Sequence, residues 1–287
     1  MSDAPKPPPR GPTAGADVGT SLIKLALRDA SGATRFEHYP AADLDRAAAH
    51  LHASRPRRIG VTGGGAPLLE RLIDSDTARV DEFAAWAAGA RRMLREAEGA
   101  PDRFLLVSVG TGTSAMLVEG DRVTRVGGTP LGGGTVLGLG RQLLGTARFE
   151  EICALADRGD RGSVDLLIAD VYPEGGFLLP PEASASYFAK LARLPAGQHP
   201  APADLAAALL GFVGESIALL ACTHAGVQQV APIVFGGSTL RGNPRLALVL
   251  RLVCLALGRQ PTFLPRGEFA GALGALESVA GDAAARR

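Results

Sequence analysis

The sequence predicts an α/β protein built as two related lobes, and three observations carry that expectation. Its 287 residues suggest about two structural units. Strands alternate with helices through both halves. A hairpin whose bend is rich in Gly, Thr and Ser opens the chain and returns near residue 104, a faint internal duplication.

Taken in order, residues 15–27 read as an apolar strand, a small-residue bend and a second apolar strand over 22–27. The turn Asp29-Ala-Ser-Gly32 leads into an extended segment at 34–39. Residues 42–53 read as a helix, 58–61 as a buried strand, and 67–73 as a short helix after the triple glycine at 63–65. From 81 to 98 apolar and alanine positions recur at helical spacing, with arginines opposite. The opening pattern then repeats: strand 104–109, bend 110–114, strand 115–118, and a turn into 122–126. Helices are expected at 135–144, 149–157, 184–194, 203–225, 244–257 and 269–280, with short strands at 232–235 and 261–264.

Composition narrows the function classes. Thirty Lys+Arg against 29 Asp+Glu leave a formal charge of +1, so no single-sign field exists to recruit nucleic acid or an acidic membrane. Three cysteines without a CxxC pair argue against a disulfide framework or a cysteine zinc site and suit a reducing cytoplasm. Residues 1–15 are rich in Pro, carry Lys6 and Arg10, lack an apolar core segment, and are expected to be a disordered tail. The longest uncharged run, 216–240, is interrupted by His224, Gln228, Gln229 and Pro232, and no spanning segment is expected.

Glycine bends at strand ends point to a phosphate ligand. A GxxxxGK[ST] loop is absent, and Gly110-Thr-Gly112 lacks the third glycine of the dinucleotide fingerprint. What remains is a pair of equivalent bends, Asp17-Val-Gly-Thr-Ser21 and Gly110-Thr-Gly-Thr-Ser114, expected to clamp a phosphate chain between backbone N–H groups and hydroxyls. Asp17 is suited to Mg²⁺, directly or through water, and Lys24 to the phosphate charge. Gly132-Gly-Gly134 opens a helix whose N-terminus favours anions. By spacing alone Glu82 reads as a solvated first-turn glutamate, and Arg125 as a surface charge like Arg122.

These motifs resemble the type II pantothenate kinases of the acetate kinase/sugar kinase/Hsp70/actin superfamily, over residues 16–276. DVGTSLIK at 17–24 is similar to the family's first phosphate loop, usually DxGGTxxK. TGG at 62–64, VDEF at 80–83 and VGTGTS at 109–114 follow in order. The most diagnostic match is RVGGTPLGGG at 125–134 with GLG at 138–140, and FAGALGAL at 269–276 closes the series.

The resemblance implies a two-lobed actin-like ATPase fold of duplicated ribonuclease H-like domains: lobes at 16–100 and 101–280, and a flexible tail at 281–287. It implies a cytoplasmic, homodimeric transferase that uses ATP and Mg²⁺ to phosphorylate the 4′-hydroxyl of pantothenate, the first step of coenzyme A biosynthesis. It makes Glu82 the catalytic base and assigns Arg125, Ser114 and Gly127 to the substrate. To the nucleotide it assigns Asp17, Val18, Gly19, Thr20, Ser21, Leu22, Ile23, Lys24, Thr111, Gly133, Gly134, Thr135, Val136, Leu137, Phe149 and Ser238. Two departures stand out. Thr20 replaces a glycine and is expected to tolerate glycine-like backbone angles, and Phe149 stands where a tyrosine is usual. Another kinase of the superfamily, such as an N-acetylhexosamine kinase, and a non-catalytic nucleotide-binding regulator are the alternatives.

Overall fold

The computed structural model describes residues 11–97, 101–175 and 180–285, and these form two units. The first takes the chain up to Asp102, the hairpin tip Val118–Thr124 and everything from Leu264 onward; the second takes Arg103–Leu117 and Arg125–Phe263.

In the first unit β1 (Thr13–Val18), β2 (Leu22–Arg28) and β3 (Thr34–Pro40) form an antiparallel meander. Helix α1 (Leu44–Ser54) leads to β4 (Arg58–Thr62), which pairs in parallel with β1. Helix α2 (Ala66–Glu70), β5 (Thr77–Arg79) and α3 (Glu82–Ala97) follow, and the sheet order is β3-β2-β1-β4-β5.

The second unit opens with β6 (Arg103–Val109), β7 (Thr113–Glu119) and β8 (Arg122–Thr129). Then come α4 (Gly133–Leu144), α5 (Phe149–Ala156), β9 (Leu166–Leu167), α6 (Ile168–Val171), β10 (Ser184–Ser186) and α7 (Pro202–Val227). Strand β11 (Ile233–Gly236), α8 (Pro244–Ala256) and β12 (Pro261–Phe263) complete it. Its sheet runs β12-β11-β6-β7-β8, with β11 parallel to both neighbours. Both sheets therefore place their strands in the order third, second, first, fourth, fifth, so the duplication read from two bends extends to the whole topology. A last helix, α9 (Ala270–Ala285), belongs to the first unit.

Period-2 alternation explains how the first sheet is covered. Ala14, Ala16, Val18, Ile23, Leu25, Ile59 and Val61 share an apolar cluster with Ala47 and Leu51 of α1 and Leu69 of α2. The alternate residues meet α9: Ala26 packs on Ala272 and Leu276, and side chains at Gly15 or Gly60 would collide with the carbonyls of Ala272 or Ala275. Helices α3 and α9 cross just as closely, because a side chain at Gly89 would strike the Ala270 carbonyl and one at Gly274 the Ala85 carbonyl.

In the second unit α7 is the central core helix. It is long and apolar enough to cross a membrane by composition, yet 72% of its most apolar window is buried. Leu209, Leu210, Val213 and Ile217 pack with Leu105, Val107 and Phe235 of the sheet. Its one buried carboxylate, Glu215, accepts from Arg161 Nη1 at 2.6 Å, while Asp165 Oδ2 takes the Arg161 Nε at 3.0 Å, so two carboxylates neutralise and fix one guanidinium.

Several expectations need correction. Residues 184–194 are not one helix: β10 pairs with β9, and a 3-10 turn covers Ala189–Arg193. Between them Phe188 adopts φ 56°, and Asp165 Oδ1 accepts its N–H at 2.8 Å, so a side-chain acceptor replaces the helical ladder. Strand β5 was not expected. The tail at 1–15 ends sooner, since β1 starts at Thr13 and Arg57 N–H donates to the Pro12 carbonyl at 2.8 Å. The lobes are not contiguous: α9, expected in the 101–280 lobe, joins the first unit because its glycines fit α3 and the sheet. It runs to Ala285, into the segment 281–287 expected as a flexible tail. Residues 1–10, Glu98 and 286–287 lie outside the described residues.

Candidate active site

In the first unit the site grows from the ends of β1, β2 and β4. Asp17 pairs in register with Lys24 on one side and with Thr62 on the other, on the face that meets α9. Asp17 and Lys24 are 3% and 8% exposed, and Lys24 Nζ donates to Asp17 Oδ2 at 3.2 Å. Gly19 N–H donates to the Leu22 carbonyl at 3.0 Å and closes the bend. Room for the pair comes from glycines. A Cβ on Gly271 would stand 2.8 Å from Asp17 Oδ2, and Gly63, at φ 87°, would press a Cβ to 2.9 Å from Asp17 Oδ1.

Glu82 opens α3, whose start is capped by Asp81: its Oδ1 accepts the Ala84 N–H at 2.9 Å. The Glu82 side chain keeps a face to solvent, but partial desolvation, then the Asp17 charge, hold its carboxyl above the ordinary glutamate value, with Lys24 opposing. A carboxylate held above its usual value accepts a proton more readily near neutral pH.

In the second unit three small-residue segments converge. Gly133 N–H donates to the Gly110 carbonyl at 2.8 Å and Gly134 N–H to that of Thr111 at 3.0 Å, so the start of α4 is stitched to the 110–114 bend. Thr239 Oγ1 donates to the same Gly110 carbonyl at 2.7 Å, and a Cβ on Gly133 would stand 2.6 Å from that hydroxyl. Gly237, at φ 122°, lies against Val109, whose carbonyl a side chain would strike. Asn243, buried, caps α8 through Leu246 N–H at 3.0 Å and donates to the Thr239 carbonyl at 3.3 Å.

Arg125 lies exposed on β8, with Nη2 2.7 Å from where a Cβ on Gly128 would stand. The ring of His224 from α7 fills the side-chain space of Gly127. The double glycine of RVGG thus lets an imidazole and a guanidinium lie against bare backbone.

Within the first unit the fold gathers Asp17, Lys24 and Glu82; within the second, Thr111, Ser114, Gly133, Gly134 and Ser238 stand at adjoining bends, and Arg125 and Gly127 lie on β8. Val18 and Ile23 point into the first core, while Val136 and Leu137 join the second, so their side chains serve packing. The Val136 N–H is already donated to the Gly132 carbonyl at 3.1 Å. Thr135 Oγ1 folds back to accept from Gly132 N–H at 3.4 Å. Phe149 packs against the second core. Thr20, Ser21, Gly19 and Leu22 form the bend, and Thr20 is absent from the non-glycine residues at positive φ, so this bend does not demand a glycine there. Sequence reasoning missed Thr239, Asn243 and His224 as supports. A threonine directly after Gly237-Ser238 was the available signal for the first, whereas His224 carried none.

One strand order used twice, with a small-residue bend closing the first hairpin of each sheet, defines an actin-like ATPase fold. Solved structures agree. The activator of 2-hydroxyisocaproyl-CoA dehydratase from Clostridium difficile, with bound ADPNP, superposes with a TM-score of 0.66 at 14% identity, over 96% of each chain. A ROK family glucokinase from Streptomyces griseus, in complex with glucose and AMPPNP, gives 0.57 at 15% identity, over 93% of this chain and 99% of that one. Such identities speak for the fold alone. Sequence likeness goes further: the Fumble family profile matches residues 96–278, and a type II pantothenate kinase of Bacillus cereus (strain AH820) is 33% identical over 270 residues, 92% of this chain and 96% of that protein. The chain belongs to the type II pantothenate kinase family.

Proposed function

We propose that this protein transfers the γ-phosphate of ATP to the 4′-hydroxyl of pantothenate, the first step of coenzyme A biosynthesis. The observation that carries the reading is Glu82, a carboxylate beside the buried Asp17–Lys24 pair and raised by desolvation and by Asp17. As the acceptor hydroxyl attacks, Glu82 takes its proton. Arg125, exposed and with no ion pair among the described residues, offers a planar fork to the acceptor's carboxylate. Ser114 and Gly127 flank that acceptor. The bend at 110–114, the start of α4 and Ser238 line the nucleotide.

The residues at Asp17 fit a magnesium ion. Mg²⁺ is commonly held by one or two carboxylates, waters and substrate phosphates, and here a buried carboxylate stands beside the Thr62 hydroxyl, which has no hydrogen-bond partner among the described residues. When bound, the ion would neutralise phosphate charge. A cytoplasmic homodimer belongs to the same proposal: three buried free cysteines suit a reducing compartment, and a second copy would cover the exposed Leu248, Leu252 and Leu255 of α8.

The test is an acceptor panel with ADP release as the readout. Pantothenate should support turnover, N-acetylhexosamines should not, and Glu82→Ala should abolish turnover while ATP still binds. Turnover with a hexosamine but not with pantothenate or pantetheine would sink the substrate assignment.

A further inference from the structure

Lys24, Asp17 and Thr62 form one row across three neighbouring strands. Registered neighbours project from the same face of a sheet, their Cβ atoms about 5 Å apart. Lys24 and Asp17 satisfy each other, but Thr62 does not share in this. It is 1% exposed, and its Oγ1 has no hydrogen-bond partner among the described residues. Leaving a hydroxyl buried and unpaired is destabilising, and valine would fill the same volume without that penalty. Such a group in a folded protein calls for a physical reason.

Its surroundings supply one. Strand β4 ends at Thr62, because Gly63 turns into the left-handed region at φ 87°. The hydroxyl is therefore left at the strand end beside a carboxylate, where a small hydrated ligand has polar partners.

We propose that Thr62 is a positioning residue for a hydrated divalent cation at Asp17, its Oγ1 accepting a hydrogen bond from a metal-bound water. This rests on the reading of Asp17 as the cation's ligand. Mg²⁺ sheds water reluctantly, and hydrogen bonds from outside the coordination sphere orient what the metal holds. A hydroxyl can accept from such water and donate to a carboxylate or phosphate oxygen, whereas a methyl can do neither.

Thr13 provides a matched control. It lies on β1, its Oγ1 likewise has no partner among the described residues, and it stands about 13 Å from Asp17 along the strand. The experiment uses the full chain with a non-hydrolysable ATP analogue and Mn²⁺ as the probe, its free fraction read by paramagnetic resonance. Thr62→Val should weaken Mn²⁺ binding about tenfold, while Thr62→Ser and Thr13→Val keep wild-type affinity. In EDTA, Thr62→Val should bind the analogue as wild type does and melt no lower.

Wild-type Mn²⁺ affinity in Thr62→Val would overturn the inference, as would a metal-free melting loss equal to that of a broken hydrogen bond. Asp17→Asn separates the two readings. If it leaves Mn²⁺ binding unchanged, the Asp17 site falls and Thr62 with it. If it weakens binding while Thr62→Val does not, only the Thr62 inference fails. Pantothenate turnover by the wild type is read separately.

Discussion

Replacing Lys24 with methionine removes the one cation within hydrogen-bond distance of the Asp17 carboxylate among the described residues, and it does so where solvent scarcely reaches. The two side chains are 10% and 5% exposed and 3.2 Å apart. Breaking a buried pair by deleting one partner costs about 3–5 kcal/mol, because the other charge is left uncompensated. The bend at 19–21 lies close by and is exposed, so water relieves part of this, and the lower end, about 3 kcal/mol, is the expected loss. For a protein of this size that corresponds to a melting temperature lower by roughly 6–12 °C. Thermal unfolding followed by circular dichroism, without nucleotide or divalent ions, measures it. Asp17→Asn added to Lys24→Met should recover most of the loss, since no buried charge then lacks a partner. Saturating Mg²⁺ should narrow the single variant's deficit more than it stabilises the wild type, because the ion replaces the missing charge. If Lys24→Met melts with the wild type, or the double variant is merely additive, the pair carries no coupling and the electrostatic reading of the site is wrong.

Three further outcomes follow from the same geometry. Glu82→Gln should lower kcat by about 100- to 10,000-fold, the range for losing a general base, with ATP affinity intact; the wild-type acid limb of kcat/KM should lie above that of an ordinary glutamate and move higher in Lys24→Met, since Lys24 is the group that lowers the Glu82 carboxyl. A limb that moved down would contradict that sign. Arg125→Ala should raise KM for pantothenate about tenfold or more, the worth of a charge-assisted fork, and leave KM unchanged for an acceptor lacking the carboxylate; equal losses on both would remove Arg125 from carboxylate recognition. Burial, with Asp157 and Glu150 nearby, pushes the Cys153 thiol up to about 11, so native protein at pH 8 should alkylate there slowly and denatured protein fast. Rapid native labelling would show that α5 opens readily.

What could be read before the structure was known follows a physical pattern. Strands β1, β2, β6 and β7 and helix α7 were legible as continuous apolar runs, and α3 and α8 by a buried stripe at helical spacing, both of them local signals. The segment at 184–194 misled because its conformation is set by Asp165, some twenty residues away, whose carboxylate captures the Phe188 N–H. Strand β5 is only three residues long and offers too few alternations to register. At the site, Asp17 and Lys24 were singled out by a motif whose spacing is local, and Glu82 only by the resemblance to the family. Thr239 acts on Gly110 by a hydrogen bond and His224 on Gly127 by contact, each across more than ninety positions of chain, whereas Asn243 caps α8 locally through Leu246.

By itself, then, the sequence determined the fold class, the doubled small-residue bends and the family, because each is written in short-range patterns of residue type. Tertiary structure decided which unit owns α9. Glycines at 15, 60, 89 and 274 were visible as letters, but only packing shows that they admit a helix from the far end of the chain against β1, β4 and α3. It also decided the state of the charges. A lysine expected for phosphate is paired with the aspartate expected for a metal, and the threonine in register with that aspartate keeps a hydroxyl with no partner among the described residues, because strand pairing places the three side by side.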